Sequence, residues 1–580
     1  MSSGYLAMPT PHAYSICPSW LITEIADEVL AMAPNGLYTS PELAPKLARE
    51  REDLLKVLAE AKRAAPEDGW ILGQQIRFLL EAGQAAPARD ALKDCTTAPW
   101  LCGMLRGHIA YTTGDQTEAE AHFANALGGM SMRERCSFTD ISTLLASDVR
   151  DNYLALPCSV RDSLAQQYLW MADPALSTPL NERRVTHLSR QVSVILQSAT
   201  SRDERFHWEP STGGVPATDL IVRYGWPSIS AWQGFKLDRE HASYLAERDS
   251  PDLAPYATAE YTWPRVTLGA PDLLAMDVLD IPADSWTLGP PASMENRRLG
   301  TALWWPREHM ALPNLRLAQF TDWQIATFRR QDNVRMAAAL HLGATHTATG
   351  QITAGRDTLS FLISPGPDSV VRIGSTTNTT DTIAVVEGHI APTAGLVALE
   401  LFSGAKDDRR LTRMRQGYRM PQTLASLHRD SIGVSEPVLF FANDAELPTG
   451  VESLLPRMLP TLNMDRRTPV GIYWEAYGLP TTDSVRFAIA IEPKQRGGFL
   501  RRAASTLRLM DAPPDGVTIS WLDPSQRGGE PATPSSTIRI VSRAMKIDLS
   551  RISAGEHIVS IVAKTSSGRT AEASRVIRVR

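Results

Sequence analysis

The residues that most often announce chemistry are present but poorly arranged. The twelve histidines are scattered along the chain and no H-E-x-x-H occurs. Glu308-His309 stands alone, and His341 and His346 lie at a predicted strand end, where the two side chains need not share a face. No G-x-S-x-G nucleophile elbow, phosphate loop, dinucleotide fingerprint or calcium loop is found. Asp407-Asp408 runs directly into Arg409-Arg410 and reads as a solvated turn between strands, so paired-carboxylate chemistry has no home there. The sequence nominates no catalytic residue, no cofactor and no metal. Catalytic groups converging from distant segments are the alternative.

Sulfur chemistry is the better lead. Cys17, Cys95, Cys102, Cys136 and Cys158 all lie in the first 158 residues, and the remainder has none. Cys95 and Cys102 bracket a predicted helix-to-helix turn whose ends come within disulfide reach. Cys136 and Cys158 can bridge a longer loop, which leaves Cys17 odd. Two disulfides would place the protein outside a reducing cytosol; the alternative is small buried hydrophobes in a helical core. No C-x2-C pair favours zinc.

A third candidate is the stretch Thr218-Asp219-Leu220-Ile221-Val222-Arg223-Tyr224-Gly225-Trp226-Pro227. Its alternation predicts a strand ending at Gly225, with Trp226 held extended before Pro227. Asp219 and Arg223 share a strand face but stand about 13 Å apart along an extended chain, too far for a direct ion pair. Arg223 is therefore expected to pair with Asp173 or Glu182 upstream, and Asp219 to accept backbone N–H groups as a turn residue. The functional alternative puts Arg223, Tyr224 and Trp226 in the lining of a ligand site.

These candidates need elements to position them. At 580 residues the chain exceeds one hydrophobic core. A 43% hydrophobic and 21% charged composition is that of a folded globular protein, and a net charge of −5 gives no footprint for nucleic acid. No window is long and apolar enough for a membrane span. Met1-Ser2-Ser3-Gly4 lacks a basic region leading into an apolar run, which reads as cytoplasmic. The disulfide argument instead expects the periplasm or cell surface, with a leader missing from this start.

Residues 1–40 read as a tail. Helical periodicity starts near Pro41, and Gly83, Ala88 and Leu92 recur 31 residues later as Gly114, Ala119 and Phe123, with Gly107 and Ala126 completing the pattern. This is similar to the tetratricopeptide repeat, which implies antiparallel helix pairs over 41–160 and a concave surface for a protein or peptide. A supporting helical bundle is the alternative. A further long helix is predicted to open at Thr178-Pro179 and to run through His187 to Leu196.

From Ser228 to Met310 tryptophan and proline are frequent and periodicity is poor, so short strands and long loops are expected, with a glycan or apolar ligand as the functional alternative to loop packing. After Pro313 the period becomes two. Strands separated by Gly, Pro, Asn and Asp turns predict one β-sandwich over 313–425 and a second, immunoglobulin-like, over 426–580, closing on a hairpin around Ser567-Gly568.

One resemblance joins the central candidates. Trp170-Met171-Ala172-Asp173-Pro174, then Thr178-Pro179 with Asn181-Glu182-Arg183-Arg184, then Thr218-Asp219 leading into Val222-Arg223-Tyr224-Gly225-Trp226-Pro227, resembles the bacterial GWxTD domain. Gly213-Gly214-Val215-Pro216-Ala217 stands where Gly-Trp would precede Thr218-Asp219, so the resemblance is to a divergent member. It implies an α+β domain over 161–312, usually found in exported chains of unassigned function. Asp173, Asn181, Glu182, Thr218, Asp219, Arg223, Tyr224, Gly225, Trp226 and Pro227 are its signature positions.

The expected fold is therefore multidomain: a helical repeat region, an α+β centre and all-β immunoglobulin-like modules. The expected function is a binding or scaffold protein of the bacterial envelope, taking a protein, peptide or glycan, with no nucleic acid and no membrane span. The alternatives are an envelope hydrolase with a site near Arg223 and the tryptophan-rich loops, and a cytoplasmic tetratricopeptide scaffold with five free thiols.

Overall fold

The computed structural model describes residues 45–145, 147–198, 222, 229–232, 277–281, 301–304, 315–342, 358–376, 383–405, 408–428, 431–443, 446–479, 484–494, 517–523, 530–531 and 539–580. A helical region is followed by a region rich in β-sheet. The described residues fall into two compact units: one up to Leu317 with Gly366–Ser369 and Ala405–Arg409, the other holding the remaining β structure.

In the helical unit, α1 (Pro45–Ala64) precedes two hairpins, α2 (Gly69–Glu81) with α3 (Ala85–Ala91) and α4 (Pro99–Thr112) with α5 (Gln116–Gly128). The sequence recurrence has a local cause. Gly83 and Gly114 have φ of 71° and 86°, a region closed to most side chains, and each ends the first helix of a hairpin. The closing bonds match: Gln84 N–H to Leu79 O and Gly83 N–H to Leu80 O in one, Asp115 N–H to Ala110 O and Gly114 N–H to Tyr111 O in the other. Asp68 and Asp115 cap α2 and α5. Close packing uses the small residues, since a Cβ on Gly107 would stand 2.6 Å from the Phe123 ring and one on Gly103 2.8 Å from Ala126. Ala88, Ala119, Leu92 and Phe123 are all buried in one core.

That core continues past residue 160. After α6 (Met132–Phe138), α7 (Ser147–Leu154) and α8 (Cys158–Met171) comes α9 (Glu182–Ser198), whose Val185, Leu188, Val192 and Leu196 join the hairpin core. A Cβ on Gly73 of α2 would meet Leu196 at 2.7 Å. The C-terminal turn of α9 is also held from α2, where Gln74 Nε2 donates to Leu196 O at 2.7 Å. Helix α9 thus covers the first helices of both hairpins. It begins at Glu182 with Asn181 as its cap, three residues beyond the predicted Pro179 start, because Asn181 Oδ1 accepts the Arg184 N–H at 2.8 Å.

Short strands β1 (Ile229–Trp232) and β2 (Thr301–Trp304) pair antiparallel. In the β-rich unit, β3 (Leu315–Gln319), β10 (Asp408–Arg419), β9 (Ala394–Ala405), β6 (Thr358–Gly366) and β7 (Ser369–Thr376) form one sheet in that order. Strands β4 (Trp323–Arg329), β5 (Val334–His341) and β8 (Ile383–Ile390) form another. Asp408, Arg409 and Arg410 belong to β10, so the predicted turn over Asp407-Asp408-Arg409-Arg410 is corrected from Asp408 onward: the chain is already in extended pairing there.

A third sheet orders β11 (Gly433–Val434), β14 (Val470–Tyr477), β18 (Arg539–Ile547) and β17 (Glu530–Pro531), with β12 (Val438–Phe441) also on β14. A fourth orders β13 (Asn463–Met464), β20 (Thr570–Val579), β19 (Gly555–Thr565), β15 (Val485–Pro493) and β16 (Val517–Asp523). The third and fourth share a core around Trp474, Phe487 and Ile561.

The β4–β5–β8 sheet is buried on both faces. Ile325, Met336, Ala338 and Leu340 pack with Phe361 and Leu399 of the first sheet. Ala326, Phe328, Ala337 and Ala339 pack with Val438, Phe440 and Tyr473. Two-sided burial explains why β4 and β5 read as nearly continuous apolar runs.

Candidate functional site

Helix α9 carries two stripes. The apolar one lies in the hairpin core; the other holds Glu182, Arg183, Thr186, His187 and Arg190 at helical spacing, all buried. The loop before α9 adds Asp173 and Asn181, likewise buried. Three of the expected signature residues, Asp173, Asn181 and Glu182, are therefore together. Asn181 caps α9, while its Nδ2 donates to Leu169 O at 3.0 Å and closes the end of α8. Asp173 Oδ1 accepts the Ala175 N–H at 3.1 Å, an Asx turn.

Glu182 is the most perturbed group of the seam. Burial pushes its pKa well above the carboxylate range, and the Asp173 charge beside it adds to the shift; the two carboxyls also share a hydrogen bond. His187 is driven the opposite way, to about 3, by burial and by the Arg183 and Arg190 charges. It is a neutral imidazole under physiological conditions, beside the backbone of Asp140. Arg190 Nη1 donates to Val222 O at 3.2 Å. Glu182 Oε2 and Thr186 Oγ1 are buried without a hydrogen-bond partner among the described residues.

Val222, the described residue of the Thr218–Pro227 stretch, is buried and helical, which corrects the strand reading at that position. Its carbonyl is engaged by Arg190. Thr218, Asp219, Arg223, Tyr224, Gly225, Trp226 and Pro227 lie outside the described residues, as do Cys17, His346 and Asp407. The sequence reading missed Arg183, Thr186, His187 and Arg190 as a unit. Their signal was the second, polar stripe at four- and three-residue spacing on a helix whose apolar stripe was already complete.

Four of the five cysteines are paired. Cys95 is bonded to Cys102 with Cα atoms 6.1 Å apart, and Cys136 to Cys158 at 5.7 Å. The second bridge ties α6 to the start of α8, alongside the Arg135–Asp162 ion pair at 3.1 Å. Among the described residues no group of three or more His, Cys, Asp or Glu could hold a metal ion, and no helix is long and apolar enough to cross a membrane.

The β-rich unit has its own buried charge. Glu475 on β14 receives both Arg330 Nη atoms, at 2.8 and 3.1 Å, and the Tyr477 hydroxyl at 2.8 Å. The Tyr473 hydroxyl stands 3.3 Å from the same carboxylate and 2.9 Å from Ser542 Oγ. Burial and the Glu475 charge raise the pKa of both tyrosines. A Tyr-x-Glu-x-Tyr alternation places all three on one strand face. The bidentate, fully hydrogen-bonded arrangement joins β4 to β14.

No family model matches the chain, and no curated protein matches it. Among solved structures, a red sea bream transglutaminase is 9% identical over 45% of this chain and 31% of that one, with a TM-score of 0.13. A likeness at that score carries no argument about fold or activity.

Proposed function

We propose that this is a non-enzymatic, multidomain protein of the bacterial envelope: a divergent GWxTD-like chain with tetratricopeptide-like hairpins and immunoglobulin-like β modules, binding a protein or a glycan. The observation that carries the reading is the pairing of four cysteines in the helical unit, since such bonds persist where the surroundings are oxidising. Support for binding rather than catalysis comes from how the shifted groups are used. Glu182 is hydrogen-bonded to Asp173, and Tyr473 and Tyr477 surround Glu475 in a network that joins strands. Because α9 covers the first helices of the hairpins, the binding surface is assigned to the outer faces of the helical unit and to the β modules.

Thiols trapped at lysis of the native source and counted in denaturant test the compartment. One free thiol, from Cys17, is expected before reduction and five after it; five before reduction would overturn the exported reading. Titration with defined cell-wall glycan fragments, followed by the fluorescence of the fourteen tryptophans, tests the glycan form of the activity. A saturating change without cleavage is expected, and cleavage of the fragments by the pure chain would replace binding with hydrolysis.

A further inference from the structure

The edges of the third and fourth sheets are treated unequally. Strands β11, β13 and β17 are each two residues long, and β17 contains Pro531. Short strands and proline are ordinary ways of keeping an edge from pairing with another chain. Among the described residues the other edges are β12, four residues with Val438, Leu439 and Phe440 buried, and β16, which has seven residues in unbroken antiparallel register with β15 from Val485↔Asp523 to Ile491↔Val517. Strand β16 has no Lys, no Pro and no bulge. Its one charge, Asp523, stands at the end and is ion-paired with Arg543 at 2.6 Å.

At this edge the core-side face of the strand, opposite Ile491, Ile489 and Phe487 of β15, carries exposed apolar side chains as well. Val517 and Ile519 are 40% and 44% exposed. They share a strand face with Trp521, which stacks on Phe487 at 5.7 Å and so belongs to the core. Val517, Ile519 and Trp521 are spaced symmetrically about Ile519. An antiparallel copy of the same strand centred there would set Ile519 opposite itself and Val517 opposite Trp521 of the second copy. Every facing pair on that side would be apolar or aromatic, the combination that stabilises cross-strand pairing.

We propose that β16 is a self-association edge, through which two copies of the chain pair antiparallel about a two-fold axis at Ile519 and make one continuous sheet. Self-complementarity favours a second copy over an unrelated strand, because an isologous contact needs the same patch on both sides. Five residues per copy, 517–521, is a small contact, so the dimer is concentration-dependent.

Sedimentation velocity of the full chain across the micromolar range tests this. The wild type is expected to shift from monomer toward dimer. Ile519→Lys and Ile519→Glu, each of which sets like charges opposite one another, should weaken association at least tenfold. An equimolar mixture of the two should restore it, which a merely misfolded variant would not do. Leu522→Lys, on the opposite strand face, should change the dimerisation constant by less than about twofold. A wild type monomeric throughout, a dimer indifferent to Ile519→Lys, or a mixture that fails to associate would each overturn the proposal.

Discussion

Asp173 and Glu182 are neighbouring buried carboxyls of the helical unit, and burial together with the Asp173 charge raises the Glu182 pKa well above its ordinary value. A carboxyl whose folded pKa is raised stabilises the fold fully below the ordinary carboxylate pKa, and that contribution is lost as pH rises through the folded value. Glu182→Gln keeps a neutral hydrogen-bonding group and cannot ionise. Its melting temperature is expected to gain on the wild type as pH rises above the ordinary carboxylate pKa, and Glu182→Ala, which cannot ionise either, should gain with the same slope from a starting point about 1–3 kcal/mol lower. Parallel pH profiles for Glu182→Gln and the wild type would rule out a raised Glu182 pKa.

His187 gives the opposite sign on the same helix. Its folded pKa of about 3 lies below the unfolded value, so its contribution is complete above about pH 6.5 and is lost as pH falls toward 3. By pH 4 the loss is on the order of 3 kcal/mol for a fully buried group. Thermal melts between pH 7 and pH 4 should show a shallower acid decline for His187→Gln than for the wild type. Equal declines would mean that the imidazole is not the acid-sensitive group of the seam.

Parts of this arrangement were legible in the sequence because they depend on local rules. Gly83 and Gly114 mark helix ends through backbone conformation alone, and the period-two alternation after Pro313 marks where the β-rich region begins, at Leu315. The seam of α9 was less legible. Arg183, His187 and Arg190 look like a solvated stripe, and their burial depends on contacts distant in sequence such as Val222. The start of α9 was misplaced because Pro179 is a generic opening signal, while the actual cap, Asn181, is selected by its simultaneous bond to Leu169 of α8. The Glu475 network was invisible for a similar reason, since Arg330 reaches it from 145 residues away.

Gly107 tests the hairpin packing. A methyl at that position would stand 2.6 Å from the Phe123 ring, and an overpacked core typically loses about 1–3 kcal/mol. Gly107→Ala is therefore expected to lower the helical transition followed by circular dichroism at 222 nm. Phe123→Leu has its own cost, but the double variant should lose less than the two single costs combined, because the smaller side chain vacates the space that the methyl needs. Strict additivity would show that Gly107 and Phe123 do not interlock.

Gln324 tests whether the β-rich unit unfolds as one body. Its side chain is fully buried; Nε2 donates to Leu439 O at 3.0 Å and Leu459 O at 2.8 Å, and Oε1 accepts the Leu439 N–H at 2.8 Å. An amide on β4 thus completes the backbone pairing of β12, which lies on the far side of the residue 425 boundary read from the sequence. Gln324→Leu is nearly isosteric but would leave a buried N–H and two carbonyls without that partner, at about 1–3 kcal/mol for each group left unsatisfied. Calorimetry of the wild type is expected to show the strands before and after residue 425 melting in one transition. Gln324→Leu should move that transition down by several degrees without moving the helical one. Two separate β transitions in the wild type, with only one shifted by the substitution, would show that the modules are independent despite the core that they share.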